Sequence, residues 1–362
     1  MIANTLARYF AVRFVSTAIA VFAGIFLLIV FVDYIELLRR TSSLPSVSAI
    51  TVAQTSLFRV PQLLERLMPF CVLIGAMSCY LTLSRKLELV VARAAGVSAW
   101  QFITPALISA LVLGAMATTL YNPLSASLQE RAKQMEAEMF SGGGAGLQDA
   151  AGFWISQATS EGQAIINAAN SQAQGIRLNG LTIFRFEPNG QFKERIEARD
   201  ASLEPGRWQL RGVRRYTLGG APVIQDTVFL STNLTPAQVR NSVSTPETVS
   251  FWQLPEYIRS SESSGFATAG YRLQYQKLIS RPFLLAAMVL LAAAVSLRFF
   301  RFGGVQKMVL SGVGSGFLLY VLSKVTEDLS KADLMHPVAA AWLPVCVGGL
   351  AGFLALLYQE DG

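Results

Sequence analysis

Charge is scarce in this sequence. Only 15% of its 362 residues are Asp, Glu, Lys or Arg, where soluble globular domains carry about 25%. Over half of the chain (52%) is hydrophobic, and the mean hydropathy is +0.43. That balance excludes a soluble enzyme and places the chain in a membrane. Histidine occurs once, at His336, beside Pro337 at the entry of the last apolar run, so it gives no histidine-based metal cluster and no credible catalytic triad. The three cysteines, at 71, 79 and 346, fall inside apolar stretches and form no CxxC pair. They read as small packing residues, without zinc or redox chemistry. A GxxxxGK[ST] phosphate loop is missing too. The glycine run SGGGAG at 141–146 has no lysine and no strand-to-helix setting, and reads as a flexible link. The chain is therefore expected to bind no cofactor, and any ATP hydrolysis must belong to a partner. A net charge of +7 would suit a nucleic-acid binder, but the basic residues lie mostly beside the apolar runs. They read as topology signals, with no nucleic acid involved.

What is present is apolar sequence in blocks. Uncharged or nearly uncharged runs cover 14–32, 67–84, 100–129, 282–297, 308–323 and 337–359. A helix crosses hydrocarbon with about 20 mostly apolar residues, and the shorter runs reach that length if flanking Arg and Lys side chains snorkel. This gives six spans, the one at 308–323 being the weakest. The first run is longer than a signal-peptide core and lacks a small-x-small site after it, so it reads as a retained span. Arg8 and Arg13 precede span one, Arg85, Lys86 and Arg93 lie between spans two and three, and Arg298, Arg301 and Lys307 lie between spans four and five. The positive-inside rule puts these groups and both termini in the cytoplasm. Arg39 and Arg40 are the exception, on the outer side.

The middle of the chain, 122–270, alternates short apolar and polar stretches. GFWISQ, GLTIFRFEPNGQFKERIEARDASLEPGRWQLRGVRRYTLGG and DTVFLSTNL read as strands, with turn signals at Asn189-Gly190 and Pro205-Gly206. The expected architecture is an α-helical membrane protein with six transmembrane helices, interrupted after the third by an extracytoplasmic all-β, jelly-roll-like domain. Its domains run over 1–121, 122–270 and 271–362. Trp154, Ile155, Ile183, Phe184, Phe186, Trp208 and Leu210 are the candidate core of the β-domain.

The segment SRKLELVVARAAGVSAW, 84–100, is too charged to cross a membrane and too apolar for an idle loop. Ser84 is positioned to cap a helix, Arg85 and Glu88 to pair at i,i+3, and Leu87, Val90, Val91, Ala94 and Ala95 to form an apolar face. Gly96 suits the position just past the helix end, with Ser98 restarting a helix into span three. Two readings stay open: a helix resting on lipid headgroups, or a lever seated in a groove of a cytoplasmic partner with Glu88 as its charged contact. Beyond span five, Lys324, Glu327, Asp328 and Lys331 form either an ion-pair cluster at a gate or a plain helix cap. Asp33 and Glu36 follow span one, and Asp33 is a candidate to pair with Lys324. Gly312 and Gly316, four apart, permit close helix contact.

RKLELVVARAAGVSAWQ resembles the coupling-helix motif of the lipopolysaccharide-export permeases, the LptF/LptG family. FVDYIELLRR after span one, NLTP near the end of the β-domain and YRLQYQKLISRPF before span four resemble its G member. The likeness covers nearly the whole chain. It implies a bacterial inner-membrane subunit with a periplasmic β-domain, paired with an F-type permease. A cytoplasmic LptB ATPase dimer using ATP and Mg drives the pair, and a single-span LptC joins it. The substrate is lipopolysaccharide, passed to a periplasmic LptA bridge. The resemblance makes Arg85, Leu87, Glu88, Val91, Arg93, Ala94 and Gly96 the ATPase-coupling residues. It makes Arg39 and Arg40 candidates for the acidic groups of the lipid, with Phe26, Val30 and Phe31 of span one and Phe317 and Tyr320 of span five lining its apolar path. Val30 stands where the family often has a lysine. The charges Asp33, Glu36, Lys324, Glu327 and Asp328 stay candidates for gate or interfacial charges. The alternatives are the F subunit of the same exporter, a secondary transporter, which the uncharged spans argue against, and a membrane-anchored scaffold.

Overall fold

Helices account for the apolar runs because lipid offers no partners for backbone N–H and C=O groups, which an α-helix satisfies internally. The computed structural model describes residues 2–42, 47–141, 153–159, 162–172, 177–187, 191–217, 220–232, 246–263, 268–302 and 304–360. The SGGGAG link beyond residue 141, the Asn189-Gly190 turn and NLTP lie outside the described residues. The order is α1 (Ile2–Thr41), α2 (Ala49–Arg85), α3 (Glu88–Ala94), α4 (Ala99–Met116), a π-helical turn (Ala117–Tyr121), α5 (Asn122–Ser141), six strands, then α6 (Leu254–Ser263), α7 (Ala269–Phe302), α8 (Val305–Lys331) and α9 (Pro337–Glu360). Six helical stretches are long and apolar enough to span a bilayer: Thr5–Thr41, Ala49–Arg85, Ala99–Glu136, Ala269–Leu297, Val305–Lys331 and Pro337–Gln359.

The chain divides into two compact units. The helical unit is Met1–Lys133, Ser250–Pro255 and Ala269–Gly362; the β unit is Gln134–Val249 and Glu256–Thr268. The third span does not stop at the expected domain boundary at 121/122. It passes through the π-helical turn and continues as helix to Ser141, because LSASLQERAKQMEAEM is rich in good helix formers although too polar for lipid.

The core of the helical unit is built from Phe10, Phe14 and Ala18 of α1, Leu73, Ala76 and Tyr80 of α2, Phe102, Ile103 and Ala110 of α4, and Leu285, Val289 and Ala292 of α7. Small residues set how closely the helices approach. A Cβ on Gly312 would fall 2.3 Å from Met77 Cε and one on Gly316 2.4 Å from Leu73 Cδ2, so the two α8 glycines pack that helix on α2. α1 and α8 are the least covered: Leu28, Phe31, Leu310 and Leu318 are each more than 60% exposed. In lipid such faces need a bilayer or a second protein.

The β unit holds β1 (Phe153–Thr159), β2 (Gly162–Gln172), β3 (Arg177–Phe186), β4 (Phe192–Glu204), β5 (Arg207–Thr217) and β6 (Val223–Ser231). The expected all-β insertion is present between the third and fourth spans. The strands make one six-stranded antiparallel sheet in sequence order, as short hairpins dictate. Ile183 lies opposite Ile196 and Leu181 opposite Ala198. The inward alternation breaks on one row: buried positions jump from Leu178 to Leu181, from Ala198 to Ala201 and from Leu210 to Val213. Gly180 and Gly212, both at positive φ (64° and 65°), flank the break, where only glycine is unstrained. Ile183, Trp208 and Leu210 are buried as expected, whereas Phe184 and Phe186 point to the other face and are only half-buried. The side chains of Trp154 and Ile155 lie outside the described residues. The inner face ends in an ion cluster, Glu194 accepting from Arg185 at 2.8 Å and from Arg215 at 2.9 Å.

Candidate functional site

The turn between spans two and three is built by its backbone. α2 runs to Arg85, so Ser84 lies in its last turn and is not the cap of the next helix. Instead Leu87 adopts the left-handed region (φ 59°), uncommon for a residue with a Cβ. Its N–H donates to Ser84 O at 2.9 Å and its carbonyl accepts from Val91 N–H at 3.0 Å. α3 therefore begins at Glu88. At its other end Gly96 N–H donates to Arg93 O (2.9 Å) and Val97 N–H to Ala92 O (3.1 Å), with Gly96 at φ 83°. This pair of bonds is the Schellman closure that glycine permits. Gln101 Oε1 then accepts from Ser98 N–H at 3.3 Å, starting α4.

Leu89 and Ala92 seat α3 on the bundle; Leu87, Val90 and Val91 face outward, Val91 at 67% exposure. The apolar face legible in the sequence is thus the free one. Glu88 does not pair with Arg85. Its Oε2 accepts from the Tyr9 hydroxyl of α1 at 2.9 Å, and the Arg93 guanidinium sits 5.9 Å from the Phe102 ring centroid of α4. A helix of about two turns is fastened to two spans and presents an apolar surface edged by Arg85, Arg93 and Ala94, all exposed.

At the other end of the spans the expected Asp33–Lys324 pair is not formed. Asp33, 8% exposed, faces Arg59 of α2 at 3.7 Å. Lys324 pairs within its own helix, with Asp328 at 3.3 Å and Glu327 at 3.7 Å. Glu327 also holds Lys277 of α7 (2.8 Å) and Lys331 (2.7 Å), so this cluster ties α8 to α7. Glu36 takes Arg40 at 2.9 Å and Arg39 at 3.7 Å. The Arg39 side chain is 80% exposed, the freer of the two. On α1, Phe31 is exposed and Phe26 and Val30 are partly covered; on α8, Phe317 and Tyr320 are exposed, Tyr320 leaning on Phe70 at 5.6 Å.

A third cluster was not anticipated. Glu65 of α2 is 6% exposed. It pairs with Arg281 of α7, accepts from Asn122 Nδ2 at 2.8 Å and takes the Ser125 hydroxyl. Glu65 and Arg281 each border an apolar run, the place where charges ordinarily snorkel, and that position hid them. The available signal was one acid and one base, each just short of a run and within a few residues of a proline.

Comparison with known proteins yields a consistent likeness. The family described as "Lipopolysaccharide export system permease LptF/LptG" matches residues 8–358. Among curated proteins, the chain is similar to "Lipopolysaccharide export system permease protein LptG" of Escherichia coli (strain K12). The two are 24% identical over 324 residues, covering 86% of this chain and 87% of that protein. It is similar also to the protein of the same name from Haemophilus influenzae, 22% identical over 355 residues, or 94% and 95% of the two chains.

Proposed function

Given that the chain belongs to the lipopolysaccharide export permease family LptF/LptG, we propose that it is the LptG-type permease subunit of an ATP-driven lipopolysaccharide exporter in a bacterial inner membrane. Both termini and α3 lie in the cytoplasm and the β unit in the periplasm, a placement supported by the basic residues at the start of α1, around α3 and before α8. Its partners are an LptF-like permease, an LptB-like ATPase dimer that uses ATP and Mg, an LptC-like single-span protein and an LptA-like bridge. The relatives' printed names favour the G over the F subunit.

The observation that carries the reading is α3. A short helix fixed to α1 and α4, with Leu87, Val90 and Val91 outward, suits a lever seated in a partner. Closure of the ATPase around α3 would move α1 through Tyr9–Glu88 and α4 through Arg93–Phe102. The exposed faces of α1 and α8 suit acyl chains and a second permease. Arg39, shared only loosely with Glu36, is the guanidinium best placed to bind acidic oxygens of the lipid, with Arg40 beside it.

Glu88→Lys tests this. Purified from native membranes in mild detergent, the wild type is expected to carry a P-loop ATPase and a second six-span permease. The variant should keep the permease and lose most of the ATPase, since lysine gives up the Tyr9 bond that fixes α3 and puts the opposite charge beside its outward face. Retention of the ATPase at wild-type stoichiometry would remove α3 from the docking surface. A wild-type chain that comes down alone would favour the scaffold alternative.

A further inference from the structure

The six residues Ser250–Pro255 belong to the helical unit, while the chain on both sides of them belongs to the β unit. They form an excursion that docks on the spans. We propose that Asn122 is a positioning residue that fastens this excursion, and that lipid transfer depends on that fastening. The transfer clause rests on the exporter reading; the fastening does not.

Three features build the receptor. Pro282 has no N–H to give to the carbonyl four residues back. That carbonyl, Leu278 O, takes the Thr118 hydroxyl instead, at 2.9 Å. Thr118 reaches it from the π-helical turn, in which Asn122 N–H bonds to Ala117 O. Such wide turns leave carbonyls for other donors and recur at functional places. The Thr119 carbonyl takes the Trp252 indole N–H at 3.1 Å. Asn122, 1% exposed, then makes two bonds of opposite sense. Its Nδ2 donates to Glu65, and its Oδ1 accepts from Phe251 N–H at 2.9 Å. A carboxylate accepts and an N–H donates, so the two neighbours fix the same orientation of the amide. The Phe251 ring lies stacked on Tyr275 of α7 at 5.6 Å.

The Glu65–Arg281 pair thus aims Asn122, and Asn122 holds the excursion at the top of the third span. The amide serves both demands at once: aspartate would put like charge against Glu65, leucine would offer Phe251 no acceptor, and serine is too short to bridge them.

Hydrogen exchange on the full chain in nanodiscs tests the fastening, comparing wild type with Asn122→Ala and Trp252→Phe. In Asn122→Ala the Phe251 amide is expected to exchange about fivefold faster, the loss of one hydrogen bond in a local opening. Trp252→Phe keeps a ring and loses only the indole bond, and should loosen the same peptide less. Protection over 67–84 and 282–297 should stay at wild-type level, which separates loosening from misfolding. Unchanged protection of 250–255 in both variants would overturn the proposal. For transfer, Asn122→Ala in the reconstituted complex should release severalfold less lipid per ATP while hydrolysis continues. Normal lipid per ATP with faster exchange would overturn the positioning role and leave a structural bond. A complex without ATPase would refute the exporter reading, and the exchange result would still decide the fastening.

Discussion

Glu65→Leu should cost about 3–5 kcal/mol of stability, the range for a buried charge pair cut on one side only. Arg281, with its side chain 14% exposed, would be left with its charge uncompensated between helices. Asn122 Nδ2 loses its acceptor as well, an unmet buried donor worth about 1–3 kcal/mol, whereas the Ser125 hydroxyl still has the Asn122 carbonyl at 3.0 Å. The double variant Glu65→Leu/Arg281→Leu is expected to recover most of the loss, because packed apolar side chains often match a buried pair in stability. Unfolding of the two singles and the double in one detergent gives the cycle directly. A single-variant loss near 0.5 kcal/mol, the size of an ordinary surface change, would mean that the pair is not holding the helices.

Gly114→Val should be the second large effect. A Cβ there would lie 2.4 Å from Pro282 Cα and 3.0 Å from Pro282 Cβ. The obstacle is backbone, in a residue whose φ is fixed, so no rotamer change relieves it. α4 and α7 must separate, and the seam they share continues one turn on into the bond from the Thr118 hydroxyl to Leu278 O. Overpacking costs about 1–3 kcal/mol, and the opened hydrogen bond adds to it. Gly24→Val is the control: no atom lies within 4 Å of a Cβ at Gly24, so its effect should be slight. Thermal unfolding of the two variants side by side checks the contrast. Equal shifts would show that helix approach at Gly114 does not limit stability.

Six spans, a β insertion and a short helix between spans two and three were legible because each rests on a local rule. Hydrocarbon thickness fixes the length of an apolar run, backbone satisfaction in lipid makes it a helix, and the Arg and Lys bias orders the loops. The coupling segment was legible in type because its apolar residues, charges and Gly96 fall within one short stretch. Its starting residue was not. Ser84 has the chemistry of a cap, but α2 runs through it, and the turn is made by Leu87 at positive φ, which no propensity favours.

What tertiary structure alone decided are the partners of charged groups. Asp33 looks across to Arg59 and not Lys324, Glu88 to Tyr9 and not Arg85. The sequence determined that such charges stand at the membrane borders; which helix reaches each one depends on crossing angles that small residues such as Gly114, Gly312 and Gly316 set in three dimensions. The β unit shows the same limit. Strict alternation marks Ile183, Trp208 and Leu210, but the shift of face along the Gly180–Arg199–Gly212 row belongs to three strands at once, and a pattern read one strand at a time has no term for it. Local periodicity fixes which element forms. Pairing across 57 to 216 residues, as in Glu65 with Asn122 and Arg281, is fixed only when the elements pack.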